Sequence, residues 1–218
     1  LRREIARQPT GSPVQEALLE ELGYEALDTC AADGSCQLAC PVGIDTGKLV
    51  KELRQERHTP RAERAALATA KRWRAVEAAS RTALRVGGGA ARRTRKGRAL
   101  PGPAPARLPG TTREGAAAVY VPSCTNRIFA GGPVAALVTV SERAGLPVWI
   151  PAGVAGNCCG LPWSSKGYGA AHRHQANELV ERLWEWSGEG ALPIVIDAAS
   201  CTGSVVEPGE GTLSEANA

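Results

Sequence analysis

The sequence predicts an α/β protein in which an all-α N-terminal segment precedes a three-layer domain built on a parallel sheet. Beyond residue 116, short apolar runs alternate with helical stretches in the order strand, helix, strand, helix, strand. Such alternation favours parallel strands joined by right-handed crossovers. Residues 1–86 instead read as helices around a cysteine-rich loop, and a Gly-, Pro- and Arg-rich stretch separates the two regions.

The predicted organisation has four parts. They are a helical segment with cysteines at 1–86, a linker at 87–115, a cysteine-rich α/β domain at 116–206 and a disordered tail at 207–218. The linker is expected because glycine and proline are common between domains and because three successive glycines at 87–89 should stop a helix. The chain contains no Met and begins at Leu1 in what reads as the middle of a helix, so we expect a fragment of a longer protein.

Local signals place three helices in the N-terminal segment. A helix is predicted over 13–22, with Ser12 as its N-cap and Pro13 at its first position. Asp45 is the expected N-cap of a second helix. A third, rich in Ala and Arg, is predicted over 60–86.

The C-terminal domain has a regular order of elements. Strands are predicted at 118–121, 146–150 and 192–197, and helices at 132–144 and 170–186. In an open α/β sheet, ligands bind beyond the carboxyl ends of the strands. Residues that directly follow these strands are therefore candidates for a site.

The first cysteine group consists of Cys30, Cys36 and Cys40, with Pro41 directly after it. Its spacing matches the run C-x2-C-x2-C-x3-C-P, which ligates iron–sulfur clusters, at three of four cysteines and at the proline. Asp33 occupies the second cysteine position. A carboxylate can ligate iron less softly than a thiolate, so Asp33 is either a ligand or a loop residue, and the loop role is slightly favoured.

The second cysteine group consists of Cys124, Cys158, Cys159 and Cys201, which lie in three loops that follow the predicted strands. Because these loops converge on one edge of a parallel sheet, we expect one site. Iron–sulfur chemistry suits the thiolates best. Buried free thiols and a tetrahedral zinc site are the alternatives, although the paired C-x2-4-C knuckles typical of zinc sites are absent.

Charge and cysteine usage exclude some classes of protein. The net charge of +4 divides into +8 for residues 1–108 and −4 for residues 109–218. The basic run at 92–98 contains no aromatic residues, so we expect no nucleic-acid partner. No secretory signal is visible, which favours metal over a disulfide framework. We expect a cytoplasmic protein, with peripheral contact at the inner face of the cytoplasmic membrane left open by the basic half.

Four blocks of sequence together resemble a known family. They are DTCAADGSCQLACPVGIDTGKLVKELR at 28–54, VPSCTNRIFAGG at 121–132, GNCCGLPWSSKGY at 156–168 and DAASCT at 197–202. The chain is similar to the C-terminal half of bacterial FAD-linked D-lactate dehydrogenases. Its second cysteine group resembles the CCG domain shared with heterodisulfide reductase B-type subunits and glycolate oxidase iron–sulfur subunits. Ser204 stands where that motif often has its last cysteine.

The resemblance implies an oxidoreductase in two parts. A flavin domain, on the same or a partner chain, would oxidise D-lactate or a similar 2-hydroxy acid by hydride transfer to FAD. Iron–sulfur clusters, expected as 4Fe–4S and held by the seven cysteines, would pass the electrons to a quinone or cytochrome. The resemblance also implies that the N-terminal segment is ferredoxin-like and the C-terminal domain CCG-type. No catalytic residue of the flavin chemistry is identified in this chain.

Three other functions remain open at this point. The chain could be a separate iron–sulfur subunit of a glycolate oxidase, lactate-utilisation or heterodisulfide reductase-type complex. It could be a zinc-stabilised interaction module, or a degenerate gene fragment with no function alone. Colour separates the metal alternatives, because iron–sulfur protein is brown and zinc protein is colourless.

Overall fold

The computed structural model divides the chain into two compact units. It describes residues 2–93, 101–129, 132–209 and 211–217. The first unit comprises Leu1–Arg64 and Pro162–Gly169, and the second comprises Ala65–Leu161 and Ala170–Ala218. The sequence places the boundary within 87–115, whereas the units divide between Arg64 and Ala65, within a helix.

The first unit is helical, as expected. Its elements are α1 (Arg2–Arg7), α2 (Pro13–Glu21), a π-helical segment (Leu22–Asp28), α3 (Ser35–Ala39) and α4 (Thr46–Glu56). Both predicted caps are confirmed. The Ser12 side chain accepts a hydrogen bond from the Gln15 amide, and Asp45 accepts from the amides of Gly47 and Lys48. Four buried residues form the small core, namely Leu27, Ala32, Val50 and Leu53.

The second unit contains the sheet. Its elements and those that cross the division are α5 (Pro60–Lys71), α6 (Trp73–Arg93), β1 (Ala118–Val121), α7 (Cys124–Ile128), α8 (Gly132–Arg143), β2 (Val148–Trp149), α9 (Leu161–Ser164), α10 (Gly169–Ser187), β3 (Ile194–Ile196) and α11 (Ala199–Val206). The strands are parallel in the order β2-β1-β3. The predicted mixed α/β class with a parallel sheet is therefore confirmed.

The central strand β1 is buried along its whole length. Its sequence AVYV is a continuous apolar run, which is typical of a strand covered on both faces. Ala118 pairs with Val148 of β2, and Val119 pairs with Ile194 of β3. The core of the unit forms around β1, with Val134 and Val138 of α8 and with residues of α10.

The helical region after residue 60 differs from the prediction. A break at Arg72 separates α5 from α6, and α6 continues through Gly87–Gly89 to Arg93. Each glycine costs about 1 kcal/mol relative to alanine in a helix, which is too little to stop a helix that is already formed. Residues 94–100 of the predicted linker, including part of the basic run, lie outside the described residues.

The second half of the predicted linker packs on the second unit. The Ala104 amide donates to the Ile128 carbonyl at 2.8 Å, and the Ile150 amide donates to Thr111 Oγ1 at 2.7 Å. Ala104 is buried. The Pro-rich composition of 101–115 therefore reflects an extended segment bound to the domain, because proline suits extended backbone as well as linkers.

The predicted disordered tail is likewise fixed in part. Asn177 of α10 donates to the Thr212 carbonyl and accepts from the Ser214 amide and from Asn217. One amide side chain thus satisfies three groups of the tail. Composition does not reveal this, because the partner lies 35 residues away from Thr212.

Among the described residues, none of the helices has the length and apolar character needed to cross a bilayer.

Candidate functional site

The sulfurs of the first cysteine group accept hydrogen bonds from nearby donors. The Cys30 Sγ accepts from the Ala32 amide at 3.3 Å, and the Cys36 Sγ lies 2.8 Å from Thr46 Oγ1. The predicted loop at 28–41 is not wholly irregular, because α3 forms inside it and ends directly before Cys40.

Donors to Cys36 and Cys40 favour the thiolates of these two residues. The Thr46 hydroxyl, followed by the Thr46 amide, lowers the pKa of Cys36. Backbone N–H groups of Ile44 and Val42 lower the pKa of Cys40. A donor to sulfur stabilises the charged form, and the thiolate is the form that binds metal. The first group is therefore suited to soft-metal ligation.

Asp33 has a local role in the same loop. Its Oδ1 accepts a hydrogen bond from the Ser35 amide at 3.1 Å, and this bond is the main reason that the pKa of Asp33 is lowered. The contact forms a turn at the start of α3, which favours the loop role over the ligand role. Metal ligation by Asp33 stays a prediction.

A buried arginine fixes this loop from within the first unit. Arg54 of α4 is 6% exposed. Its Nε donates to the Leu27 carbonyl at 2.8 Å, and its Nη2 donates to the Cys30 carbonyl at 2.7 Å. Its Nη1 donates to the Ser165 carbonyl. The Arg54 guanidinium thus connects the two segments that make up the first unit, and it holds the backbone of Cys30.

The second cysteine group comes together at the carboxyl edge of the sheet. Cys124 begins α7 just after β1, Cys158 and Cys159 lie in the loop after β2, and Cys201 lies in α11 after β3. The Sγ atoms of Cys124 and Cys158 are 3.8 Å apart. Cys159 lies close enough to Cys158 and to Cys201 that these neighbours shift each other's pKa values. The four predicted residues therefore form one row of sulfurs from three loops.

Contacts between these sulfurs separate their pKa values. The Cys158 thiol lowers the pKa of Cys124, and the Arg127 guanidinium adds to that effect. Hydrogen bonds from Cys158 and Cys201 lower the pKa of Cys159 to about 3. The pKa values of Cys158 and Cys201 are raised, first by these same contacts. The pKa values are therefore lowered and raised in alternation along the row.

A buried ion pair lies beside this row. Arg127 of α7 donates from Nε to Oε1 of Glu77 at 2.8 Å, and their side chains are 2% and 0% exposed. Arg127 also donates to the carbonyls of Pro122 and Asn157. Glu77 Oε2 accepts from the Gly156 amide at 2.7 Å. The pair thus connects α6 with two of the three cysteine loops.

Asp197 joins the third strand to the first cysteine loop of the sheet. Its Oδ1 accepts from the Ser123 amide at 2.7 Å, and its Oδ2 accepts from Tyr120 Oη at 2.6 Å. Burial acts to raise the pKa of Asp197, but the hydrogen bonds from Tyr120, Asn126 and Ser123 outweigh it and lower that pKa. Asp197 therefore remains a carboxylate and holds the segment that leads into Cys124.

Glycines are required where this loop approaches helices. Gly160 directly follows the cysteine pair and has a φ of +81°. A Cβ at this position would lie 2.6 Å from the His172 ring and 2.9 Å from the His172 carbonyl oxygen. Gly156 has a φ of +92°, and its Cβ would lie 2.7 Å from Arg74 Cβ. The glycine that follows Cys159 is thus required for a steric reason.

The donor set fits a soft metal or an iron–sulfur cluster in its chemistry, because both groups supply thiols. In each group some of these thiols have a lowered pKa, which favours the thiolate that binds metal. As the side chains stand, however, no three Cys, His, Asp or Glu residues of the described ranges form a group that could hold a metal ion. The second group is a row of sulfurs and not a closed ring. Metal binding therefore requires these side chains to rearrange.

Sequence reasoning did not find the residues that support the cysteines. They are Arg54, Glu77, Tyr120, Arg127 and Asp197. Glu77, Tyr120 and Asp197 are polar residues within otherwise apolar or alanine-rich patterns, and this was the signal available. Arg54 and Arg127 lie in polar stretches, which give no such signal. A polar residue on a buried face must have a partner, but its partner lies in a different part of the chain.

The chain matches no protein-family model, no curated protein and no solved structure.

Proposed function

We propose that this chain is the iron–sulfur electron-transfer portion of an FAD-linked D-lactate (2-hydroxy acid) dehydrogenase, which passes electrons from a flavin domain to a quinone or cytochrome. The observation that carries the metal-binding part is the row of sulfurs formed by four cysteines from three separate strand-ending loops. The flavin and lactate parts are supported by the resemblance of the cysteine-containing blocks.

The chain's own residues supply ligands and set their charge. Cys30, Cys36 and Cys40 would ligate from one unit, and the second cysteine group would ligate from the other. When bound, an iron–sulfur cluster accepts and releases one electron at a time. Hydrogen bonds to the ligand sulfurs, such as those from Ala32 and Thr46, stabilise the ligands' negative charge and are one of the factors that set a cluster's reduction potential.

Anaerobic reconstitution tests this proposal. The full chain is reduced, supplied with ferrous iron and sulfide, and desalted; bound iron, acid-labile sulfide and electron paramagnetic resonance after reduction are then measured. We expect a brown protein in which Cys36→Ser and Cys158→Ser each remove part of the iron and one of two signals.

The matched control is Ser200→Ala, which changes an exposed residue next to Cys201 and should leave the bound iron unchanged. A colourless chain that retains neither iron nor sulfide would contradict the proposal. So would iron retention that is unaffected by both cysteine substitutions.

One observation favours a zinc-stabilised module as a second candidate. A tetrahedron with metal–sulfur bonds of about 2.3 Å has sulfur–sulfur edges of about 3.8 Å, and the Cys124 and Cys158 sulfurs are 3.8 Å apart. In that case the purified chain should be colourless, should contain zinc, and should lose its folded second unit when a chelator removes the metal. Metal analysis of the protein as isolated decides between the two.

The flavin part of the proposal has its own test. The reading frame upstream of the Leu1 codon should encode a flavin-binding domain and a second C-x2-C-x2-C-x3-C-P run. A frame that starts close to Leu1 would favour a separate iron–sulfur subunit, and the lactate assignment would fall.

A further inference from the structure

The buried ion pair of Glu77 and Arg127 has a high desolvation cost if its role is only to stabilise the fold. Both side chains are almost completely removed from water. Burying two charges costs several kcal/mol per ion, and apolar side chains of similar volume often stabilise a fold as well or better. The contacts of the pair point to a more specific role than filling the core.

The hydrogen bonds that the two side chains make outside the pair lead to the loops that carry Cys124 and Cys158. Arg127 donates to the carbonyl of Pro122, two residues before Cys124, and to the carbonyl of Asn157, directly before Cys158. Glu77 accepts from the amide of Gly156, two residues before Cys158. The same two side chains therefore set the separation of the two backbones that carry the closest pair of sulfurs.

The charges of the pair also act on the sulfurs with opposite signs. Arg127 favours the Cys124 thiolate, whereas the Glu77 carboxylate disfavours it. A metal bound by this group needs thiolates, so the positive charge assists binding and the negative charge opposes it.

We propose that Arg127 is a positioning residue of the second cysteine group: its bonds to the Pro122 and Asn157 carbonyls set the spacing of the Cys124 and Cys158 loops, while Glu77 orients its guanidinium. This inference rests on the proposed use of the group as a soft-metal site. It does not depend on iron–sulfur chemistry, and its test uses a different metal.

The probe is Cd²⁺, whose thiolate charge-transfer absorption reports binding directly. Cd²⁺ is titrated into the reduced full chain in competition with a chelator, on a background in which Cys30, Cys36 and Cys40 are serine, so that binding reports the second group. Loss of an outer-shell partner typically weakens metal binding about 10–100-fold, and we expect Arg127→Gln to weaken Cd²⁺ binding by that factor.

Two further variants separate charge from structure. Arg127→Lys keeps the charge but loses the forked geometry, so it should recover part of the affinity. Glu77→Gln keeps one oxygen that can accept from Arg127 and removes the opposing charge, so it should lose less Cd²⁺ affinity than Arg127→Gln, even where urea unfolding shows it to be less stable. The matched control is Arg85→Gln, which removes a positive charge at an exposed position of the helix that contains Glu77. It should not change Cd²⁺ binding.

Equal losses in Arg127→Gln and Glu77→Gln, or unchanged affinity in Arg127→Gln, would overturn the inference. Should Arg127→Gln fail to fold, the comparison of Arg127→Lys with Glu77→Gln decides, because weaker binding in Glu77→Gln than in Arg127→Lys contradicts it. If the parent chain binds Cd²⁺ with this pattern but assembles no iron–sulfur cluster, the proposed function fails and the positioning role stands.

Discussion

The two cysteine groups lower the pKa of some of their thiols by different means. In the first group, the sulfurs accept hydrogen bonds from amides and a hydroxyl within the same stretch of chain, and Cys36 is exposed. In the second group, the sulfurs contact one another, and Cys124, Cys158 and Cys159 are buried. The environment of the first group is thus set by a single loop, and that of the second group is set by the edge of the sheet.

Because their supports differ, the two groups should be sensitive to different substitutions. The first group depends on local backbone, with Arg54 holding the Cys30 carbonyl. The second group depends on residues far away in sequence, because Glu77 and Asp197 bind the loops before Cys158 and Cys124. Substitutions should therefore disturb one group and leave the other intact, and four of them sharpen the contrast.

The largest effect is expected from Gly160→Ala. A left-handed backbone costs an L-residue about 1–2 kcal/mol, and overpacking costs about 1–3 kcal/mol more, because the new Cβ would meet the His172 backbone. The free energy of unfolding should fall by about 2–5 kcal/mol in urea, while alkylation of Cys36, followed by mass spectrometry, keeps its rate. Gly203→Ala, with open space at its Cβ, is the control. A Gly160→Ala protein as stable as the parent would refute the steric argument.

Arg54→Met should break the first group's support instead. It leaves the carbonyls of Leu27, Cys30 and Ser165 without their guanidinium donor, and a buried unsatisfied polar group costs about 1–3 kcal/mol. We expect a loss of stability of about 2–4 kcal/mol and unchanged Cd²⁺ binding at the second group. Arg57→Met, at an exposed position after the same helix, controls for the substitution. Equal stability of the two variants would show that the hydrogen bonds of Arg54 do not stabilise the first unit.

Asp197→Asn tests the second group through pH. The folded-state pKa of Asp197 lies below its ordinary value of 3.8, so its contribution to stability is present above that pH and is lost as the pH falls through the folded pKa. We expect the variant to be about 1 kcal/mol less stable at neutral pH, with the gap closing in acid. Urea unfolding at several pH values checks this, with the exposed Glu178→Gln as control. A gap that stays constant down to strong acid would contradict the sign.

The smallest effect is expected from Thr46→Val. The Thr46 hydroxyl is the first cause of the lowered pKa of Cys36, and valine keeps its shape without the donor. Iodoacetamide should therefore react with Cys36 more slowly near neutral pH, because less thiolate is present. Thr82→Val removes a hydroxyl that donates to the Ala78 carbonyl of its own helix, and it should leave the alkylation rate of Cys36 unchanged. If Cys36 reacts equally fast in Thr46→Val and in Thr82→Val, the Thr46 hydroxyl is not the controlling donor.

Local signals in the sequence were sufficient for two helix caps and for the central strand. Ser12 and Asp45 cap helices because their side chains meet amides two or three residues away, and β1 is a strand because a continuous apolar run suits a fully covered position. The convergence of the second group follows from strand order. None of this needs information about distant partners.

What sequence reasoning missed depends on distant contacts. Gly87–Gly89 read as a stop, yet α6 continues through them. The stretch 101–115 read as a linker, yet Ala104 and Thr111 bind residues of the sheet domain. The pairing of Glu77 with Arg127 spans 50 residues, and no local pattern specifies which buried charge meets which.

The bond from Arg54 to the Ser165 carbonyl links residues 111 positions apart, and this has a consequence for synthesis on the ribosome. At about 5–20 residues per second, the loop that carries Cys30, Cys36 and Cys40 is made roughly 6 to 27 seconds before Ser165. During that interval the nascent loop lacks the hydrogen bond that connects Arg54 to Ser165. Limited proteolysis of ribosome-stalled chains that end shortly before and well after 162–169 would detect the change, as protection of α4 that appears only in the longer chains.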